Sequence, residues 1–164
     1  MSSAPKSTIT RRKPLDAAND AGADNTGTQH LESLLGYNAH RAAIHLVGHF
    51  IDSMGPFKLR TVSFSVLSVI GHSPGVTSRQ LCQLLNVLPP NMVVVLRELD
   101  KRGLIKREPH PSDGRAMGLS LTPAGHKLIA QAEQAASDAD LRASVALTVA
   151  ERKTLALLLQ KIYL

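Results

Sequence analysis

Lysine and arginine side chains are concentrated between His72 and Ala116, where they exceed the carboxylates and leave a net charge of +3. Both side chains bind phosphate groups, Arg by a two-pronged contact and Lys as a point charge. The whole chain has 19 Lys and Arg against 13 Asp and Glu, a net charge of +6. This balance favours an anionic polymer such as DNA as a partner. The cations of the segment are Arg79, Arg97, Lys101, Arg102, Lys106, Arg107 and Arg115.

The outward face of a helix that begins near Pro89 and Pro90 offers groups that suit base pairs. The Asn91 amide matches the edge of adenine in the major groove, and the methyl groups of Val94 and Val95 match the methyl of thymine. Asn91 is the only one of these five residues whose side chain forms hydrogen bonds. We therefore expect sequence recognition to depend mainly on A·T pairs.

Two short helices must position these groups. Thr77 and Gln80 have the spacing of a capping box, which predicts a helix over 77–86. The next helix is predicted over 89–102, because Lys101 and Arg102 suit its C-terminus and a glycine follows. Its inward face is predicted to carry Met92, Leu96 and Leu99.

A β-hairpin is predicted directly after these helices. The strand candidates are 104–108 and 116–121, and the loop between them is rich in Pro, Ser, Asp and Gly. Val76 is predicted to add a short strand before the first helix. Helix, turn, helix and hairpin in this order are typical of a winged helix-turn-helix, whose second helix enters the major groove.

Longer helices are predicted on both sides of this unit. Apolar residues recur at helical spacing over 31–51, and Gly55-Pro56 stops that helix. A second helix is predicted over about 59–70. After the hairpin, Thr122 caps a helix that continues to about Ser137.

The C-terminal segment 149–164 is a further predicted helix, with a capping box formed by Thr148 and Glu151. Its leucines exceed what one small lobe covers, which favours burial against a second subunit, although an ordinary core within one chain is the alternative. These apolar residues are Leu155, Leu158, Leu159 and Ile162. A core of Leu, Val, Ile and Ala without Trp favours packed helices, so we expect an α+β fold that is mainly α.

The runs 99–107, 113–115 and 119–125 resemble the signature of the MarR (multiple antibiotic resistance regulator) family, and the similarity extends over about 31–164. The resemblance implies a winged helix-turn-helix over 58–122 and dimerisation helices over 29–57 and 123–164. It also implies a homodimer that represses transcription from a near-palindromic double-stranded operator. Autoregulation, and control of a catabolic operon for aromatic compounds or of an efflux operon, are further expectations.

The same resemblance assigns roles in the wing, the loop of the hairpin. The family arginine that matches Arg115 enters the minor groove, and the aspartate that matches Asp113 orients the wing; a simple turn salt bridge is the alternative. The full set expected to bind DNA is Ser78, Arg79, Pro90, Asn91, Val94, Val95, Lys106, Ser112, Asp113 and Arg115.

Many members of the family release DNA when a small anion, often aromatic, binds between the dimer helices and the winged lobe. Cations and hydroxyls beside an apolar cleft suit a carboxylate. We therefore expect an aromatic carboxylate or its thioester as effector. The expected contacts are Tyr37, His40, Arg41, His45, Arg60 and Ser63.

Two other interpretations are open. The spacing of His45 and His49, with His40 and Cys82, suggests a metal- or redox-responsive regulator on the same scaffold, but no tight Cys/His cluster supports it, and Cys82 suits a buried structural thiol. A winged-helix module for protein assembly is the other, against which the basic wing argues. No phosphate loop or nucleophile elbow is present, so we expect neither enzyme activity nor a cofactor.

The remaining expectations concern compartment and termini. One cysteine excludes an intramolecular disulfide, and the sequence has neither a secretory signal nor an apolar stretch that spans a membrane, which indicates the cytoplasm. Residues 1–28 have few large apolar side chains, so we expect a disordered basic and polar arm.

Overall fold

The computed structural model describes residues 27–110 and 113–163, and the side chains of 110 and 113–116 are outside that description. The predicted arm, 1–28, therefore lies almost entirely outside the described residues. Contacts divide the chain into two units, 1–38 and 39–164. The helices are α1 (Gln29–Ser33), α2 (Leu35–Met54), α3 (Thr61–His72), α4 (Ser78–Leu85), α5 (Pro89–Lys101), α6 (Pro123–Ala143) and α7 (Val149–Tyr163), with a 3-10 turn at Gly55–Phe57.

The strands of the described ranges form one antiparallel sheet in the order β1-β3-β2: β1 (Val76–Thr77), β2 (Ile105–His110) and β3 (Asp113–Leu121). Val76 pairs with Leu119, and Ile105 pairs with Leu121. The hairpin and the short strand are therefore confirmed, and both hairpin strands are longer than predicted. With α4 and α5 before it, the hairpin completes a winged helix-turn-helix in an α+β fold that is mainly α.

The first predicted helix, 31–51, is two helices in the structure. Leu34 is extended between α1 and α2, with φ −85° and ψ 124°. The Asn38 amide donates hydrogen bonds to the carbonyls of Glu32 (2.7 Å) and Leu34 (2.9 Å). A side chain thus takes the place of a backbone donor at the Glu32 carbonyl in α1, which apolar periodicity alone does not predict.

Helix α6 ends at Ala143, six residues after the end predicted at Ser137. The Ser137 hydroxyl donates to the Glu133 carbonyl (3.0 Å) inside the helix, so it does not cap it. Ala139 is buried in the extra turns. The predicted end was wrong because the extra turns are held by the burial of Ala139, a tertiary contact that the local sequence does not show.

The core lies among α3, α4, α5, α6 and the sheet. Gly125 lets α6 approach the sheet, because a Cβ there would lie 2.0 Å from the Leu104 carbonyl oxygen. Thr122 secures the same junction, since its hydroxyl donates to Gly103 (2.7 Å) and accepts from the Gly125 N–H (3.1 Å). The core thus joins the wing to α6. Its largest fully buried side chains include Leu67, Ile70, Leu81, Met92, Leu96, Leu99 and Leu119.

Candidate nucleic-acid interface

Helix α4 begins with the predicted capping box, which the structure confirms. The Gln80 N–H donates to the Thr77 hydroxyl (3.3 Å), and the Thr77 N–H donates to the Gln80 side chain (2.8 Å). Asn86 ends the helix in the left-handed region, with φ 50°, which makes the turn to α5 short. Ser78 is half-buried and Arg79 is exposed in the first turn of α4. Arg79 is therefore accessible to a phosphate.

Helix α5 has one buried face and one exposed face. Met92, Leu96 and Leu99 are buried, as predicted. On the other face Pro90 and Asn91 are exposed, and Val94 is 62% exposed. The exposed face is therefore the part of this helix that is accessible to a base pair.

Val95 differs from the prediction, because it is half-buried and packs against the core. Residues three apart lie on the same side of a helix, so Val95 follows the buried Met92 onto the inward side. Val93, which is not among the residues expected to bind DNA, is 50% exposed. The outward apolar pair is therefore Val93 and Val94.

The wing hairpin brings Lys106 beside Glu108. Their Nζ and Oε1 atoms are 2.6 Å apart, and both side chains are about half exposed. Hydrogen bonds from Lys106 and then from Ser120 lower the pKa of the Glu108 carboxyl from its ordinary value. Lys106, expected as a phosphate contact, therefore already has an anionic partner within the chain. Ser112 and the side chains of Asp113 and Arg115 lie outside the described residues.

The expected effector residues are divided between two cavities. Arg60 and Ser63, at the start of α3, line a cavity of about 340 Å³ together with Asn91, Val94 and Glu98 of α5. Ser63 is buried and Arg60 is exposed. The structure thus brings two effector residues beside residues expected to bind DNA.

His45 lines a different cavity of about 400 Å³ among α2, α6 and α7, which also contains Arg152. Its Nε2 atom lies 3.1 Å from the Ala143 carbonyl oxygen. His40 and Arg41 are exposed on α2 and line neither cavity, and Tyr37 is half-buried within the segment 27–38. The expected effector residues of the unit 39–164 therefore do not form one site within the chain.

The rings of His45 and His49 lie together, with centroids 4.9 Å apart, but the described residues contain no cluster of three or more His, Cys, Asp or Glu side chains placed to hold a metal ion. Cys82 is half-buried and packs against the core. Within the described ranges, every helix is too short or too polar to cross a membrane.

The comparison with known sequences agrees with this geometry. The protein-family sequence model described as MarR family matches residues 58–116 of this chain. The chain is 30% identical to the HTH-type transcriptional repressor Rv2887 of Mycobacterium tuberculosis over 128 residues, which are 78% of this chain and 92% of the relative.

Solved structures of related proteins have the same fold. The transcriptional repressor CouR bound to a 23-mer DNA duplex has a TM-score of 0.77 and 31% identity, with 85% of this chain and 99% of that chain covered. CouR from Rhodococcus jostii RHA1 bound to p-coumaroyl-CoA has a TM-score of 0.75 and 27% identity, covering 82% and 94%. Rv2887 in complex with salicylic acid has a TM-score of 0.65 and 30% identity, covering 79% and 96%. The present chain therefore belongs to the MarR family of winged helix-turn-helix transcriptional regulators.

Proposed function

We propose that the chain is a homodimeric repressor that binds a near-palindromic operator and releases it when a small aromatic acid binds. The observation that carries the DNA-binding part is the exposed face of α5, with Asn91 and Val94 outward and Met92 buried. A helix held in this way by a core on one side is free to enter a major groove on the other. The DNA complex of CouR supports this function.

The dimer is supported by apolar side chains that the single chain leaves exposed. On α2, Ile44 and Ile51 are exposed, and on α7 Leu157, Leu158 and Ile162 are exposed. None of the described residues of α7 is buried. Exposed apolar surface of this kind marks an interface, and a second copy would cover it by two-fold symmetry. We therefore assign dimerisation to 29–57 and 123–164, and DNA binding to 58–122.

The effector is supported by the cavity between α3 and α5. Arg60 gives it a cation for a carboxylate, and Val87, Leu88 and Val95 give it apolar walls for a ring. Glu98 also lines the cavity and repels an anion, so a bound carboxylate would lie towards Arg60 and away from Glu98. The cavity volume of about 340 Å³ suits a single-ring acid, and the salicylic acid complex of Rv2887 supports that class. For a thioester, only its acyl part would occupy this cavity.

Release follows from the residues that the cavity and the DNA share. Asn91 and Val94 line the cavity and also stand on the exposed face of α5. An occupant that fits a different arrangement of these side chains from the one that binds DNA shifts the protein away from the DNA-binding arrangement. Ligand and operator therefore compete through α5.

The test is a titration of the protein–operator complex with salicylate, p-coumarate and p-coumaroyl-CoA. We expect at least one to release the DNA, and we expect Arg60→Gln to blunt this response while operator binding survives. Arg41→Gln is the matched control, because Arg41 is an exposed cation on α2 outside this cavity. A response lost in the Arg41 variant and kept in the Arg60 variant would contradict the proposed cavity, and no release by any of the three acids would contradict the effector class.

A further inference from the structure

Helix α5, which is proposed to enter the major groove, is hydrogen-bonded at its C-terminus to the linker 55–60 between α2 and α3. The Arg102 guanidinium donates from Nη1 to the Lys58 carbonyl and from Nη2 to the Phe57 carbonyl, both at 2.9 Å. Donor and acceptors are separated by 44 and 45 residues in the sequence. From its position we expected only a favourable interaction of the Arg102 charge with the end of its own helix.

The linker needs such a partner. Within the linker, the Lys58 N–H donates to the Gly55 carbonyl (3.0 Å) and the Leu59 N–H donates to the Met54 carbonyl (3.4 Å). The carbonyls of Phe57 and Lys58 instead accept the two hydrogen bonds of the Arg102 guanidinium, which we call the Arg102 fork. Lys58 is held at φ 52° and ψ 43°, in the left-handed region that a side chain other than glycine disfavours. Charged donors form stronger hydrogen bonds than neutral ones, so the fork stabilises this conformation.

Arg102 is itself firmly placed. It is the C-cap of α5, and its N–H donates to the Glu98 carbonyl (3.1 Å). Gly103 follows at φ 66°, and the Leu104 N–H donates to the Leu99 carbonyl (3.1 Å). Backbone hydrogen bonds therefore hold the end of α5 on both sides of Arg102, so a change in the linker would act on the whole helix.

We propose that Arg102 is a positioning residue, which sets the angle of α5 against the α2–α3 linker and thereby controls operator recognition without contacting DNA. Asn91 lies eleven residues before Arg102, about 16 Å along the helix, so a tilt of about 5° at Arg102 moves Asn91 by about 1.4 Å. Hydrogen bonds to base edges do not survive such a displacement. Attraction to phosphates depends far less on precise geometry, so random DNA is bound almost as before.

An alternative role is left for the experiment to test. Lys58 and Lys127 line the same shallow cleft as Arg102, and a phosphate of DNA seated there would make Arg102 a direct anion contact. The two roles differ in their response to a lysine at this position. Lysine keeps the charge and loses the planar fork that spans two carbonyls.

The test measures the affinity of Arg102→Lys and Arg102→Gln for operator and random DNA over a series of salt concentrations. We expect both variants to lose about tenfold in affinity for the operator, the value of one misplaced base contact, and less than about twofold in affinity for random DNA, with unchanged salt dependence. Lys101→Gln is the matched control, because it removes an exposed neighbouring cation and should leave the operator preference intact. Operator affinity kept by Arg102→Lys and lost by Arg102→Gln, with a weaker salt dependence on both DNAs, would overturn the proposal in favour of a phosphate contact.

A measurement on the natural chain covers the case in which both variants fail to fold. Operator binding holds α5 in place, so we expect the amides of Lys58 and Leu59 to exchange hydrogen more slowly in the complex than in the free protein. Equal exchange in the two states would overturn the proposal. The inference rests on the proposed DNA-binding function, but the two fail in different ways. A natural chain that binds no operator would contradict the function. An Arg102→Lys variant with the same operator affinity as the natural chain would contradict only the positioning role.

Discussion

At the scale of single residues, Asn91 carries the proposed base recognition. It is exposed on α5, and its neighbours on that face are valines and prolines. We expect Asn91→Ala to cost about 1–3 kcal/mol of binding free energy on the operator and little on random DNA. Fluorescence anisotropy with both duplexes measures this, and Gln134→Ala on α6 controls for the loss of an exposed amide. Equal losses on the two DNAs would make Asn91 a backbone contact.

Lys106 is the second residue whose role depends on its surroundings. Its ammonium is held by Glu108, which competes with any phosphate. We expect Glu108→Gln to raise the affinity for operator and random DNA alike, because Lys106 loses its anionic partner. The slope of log affinity against log salt concentration should become steeper by about one released counterion. Salt-dependent titrations measure the slope, with Asp138→Asn on α6 as a control for the loss of a carboxylate far from the wing. An unchanged slope would show that Lys106 does not reach a phosphate.

The Lys106–Glu108 pair also predicts how the stability of the fold changes with pH. Because the pKa of Glu108 is lowered in the folded chain, the pairing stabilises the fold above the ordinary carboxyl pKa and is lost as the pH falls through the lowered value. The Glu108→Gln variant should therefore lose stability relative to the natural chain at neutral pH, and this difference should vanish in acid. Thermal unfolding at a series of pH values measures it, and a difference that grows in acid would contradict the assignment.

At the scale of elements, the capping box of α4 supports the turn into α5. We expect Thr77→Ala to lower the free energy of unfolding by about 1 kcal/mol, because one helix donor loses its partner. Ser137→Ala is the control, since that hydroxyl lies inside α6 and bonds a carbonyl already in the helix ladder. Chemical denaturation measures both, and equal effects would mean that the cap contributes nothing specific.

The sequence predicted most elements because their signals are local. Capping residues and prolines marked the starts of α4, α5 and α6, a glycine marked the end of α5, and periodic apolar residues identified its buried face. The break at Leu34 was missed because it depends on where the Asn38 side chain forms hydrogen bonds, and the extra turns of α6 were missed because they depend on the burial of Ala139.

Longer-range contacts were not predictable in this way. The Arg102 fork and the Lys106–Glu108 pair were missed, since spacing does not show which partner a charged side chain takes. The cavity that joins Arg60 to Asn91 needs the packing of α3 on α5, which no local pattern encodes.

At the scale of the whole molecule, the dimer is the main proposal. Leu158 is 54% exposed on α7, so it has little role in the fold of one chain. We expect Leu158→Glu to weaken the dimer and to leave the winged unit folded, because a charge would be buried at the interface without a partner. Analytical ultracentrifugation and circular dichroism measure both properties, with Gln83→Glu, exposed on α4 outside the proposed dimerisation helices, as the control. A dimer of undiminished stability would place the interface elsewhere.

The most direct test of the central claim is selection of bound sequences by the purified full-length protein from a random duplex library. A dimer that inserts two copies of α5 predicts enrichment of inverted half-sites about 10 base pairs apart, rich in A·T pairs, and Asn91→Ala predicts loss of that enrichment with binding retained. Enrichment of a single unrepeated site, of G·C pairs insensitive to Asn91, or of no sequence at all would contradict it.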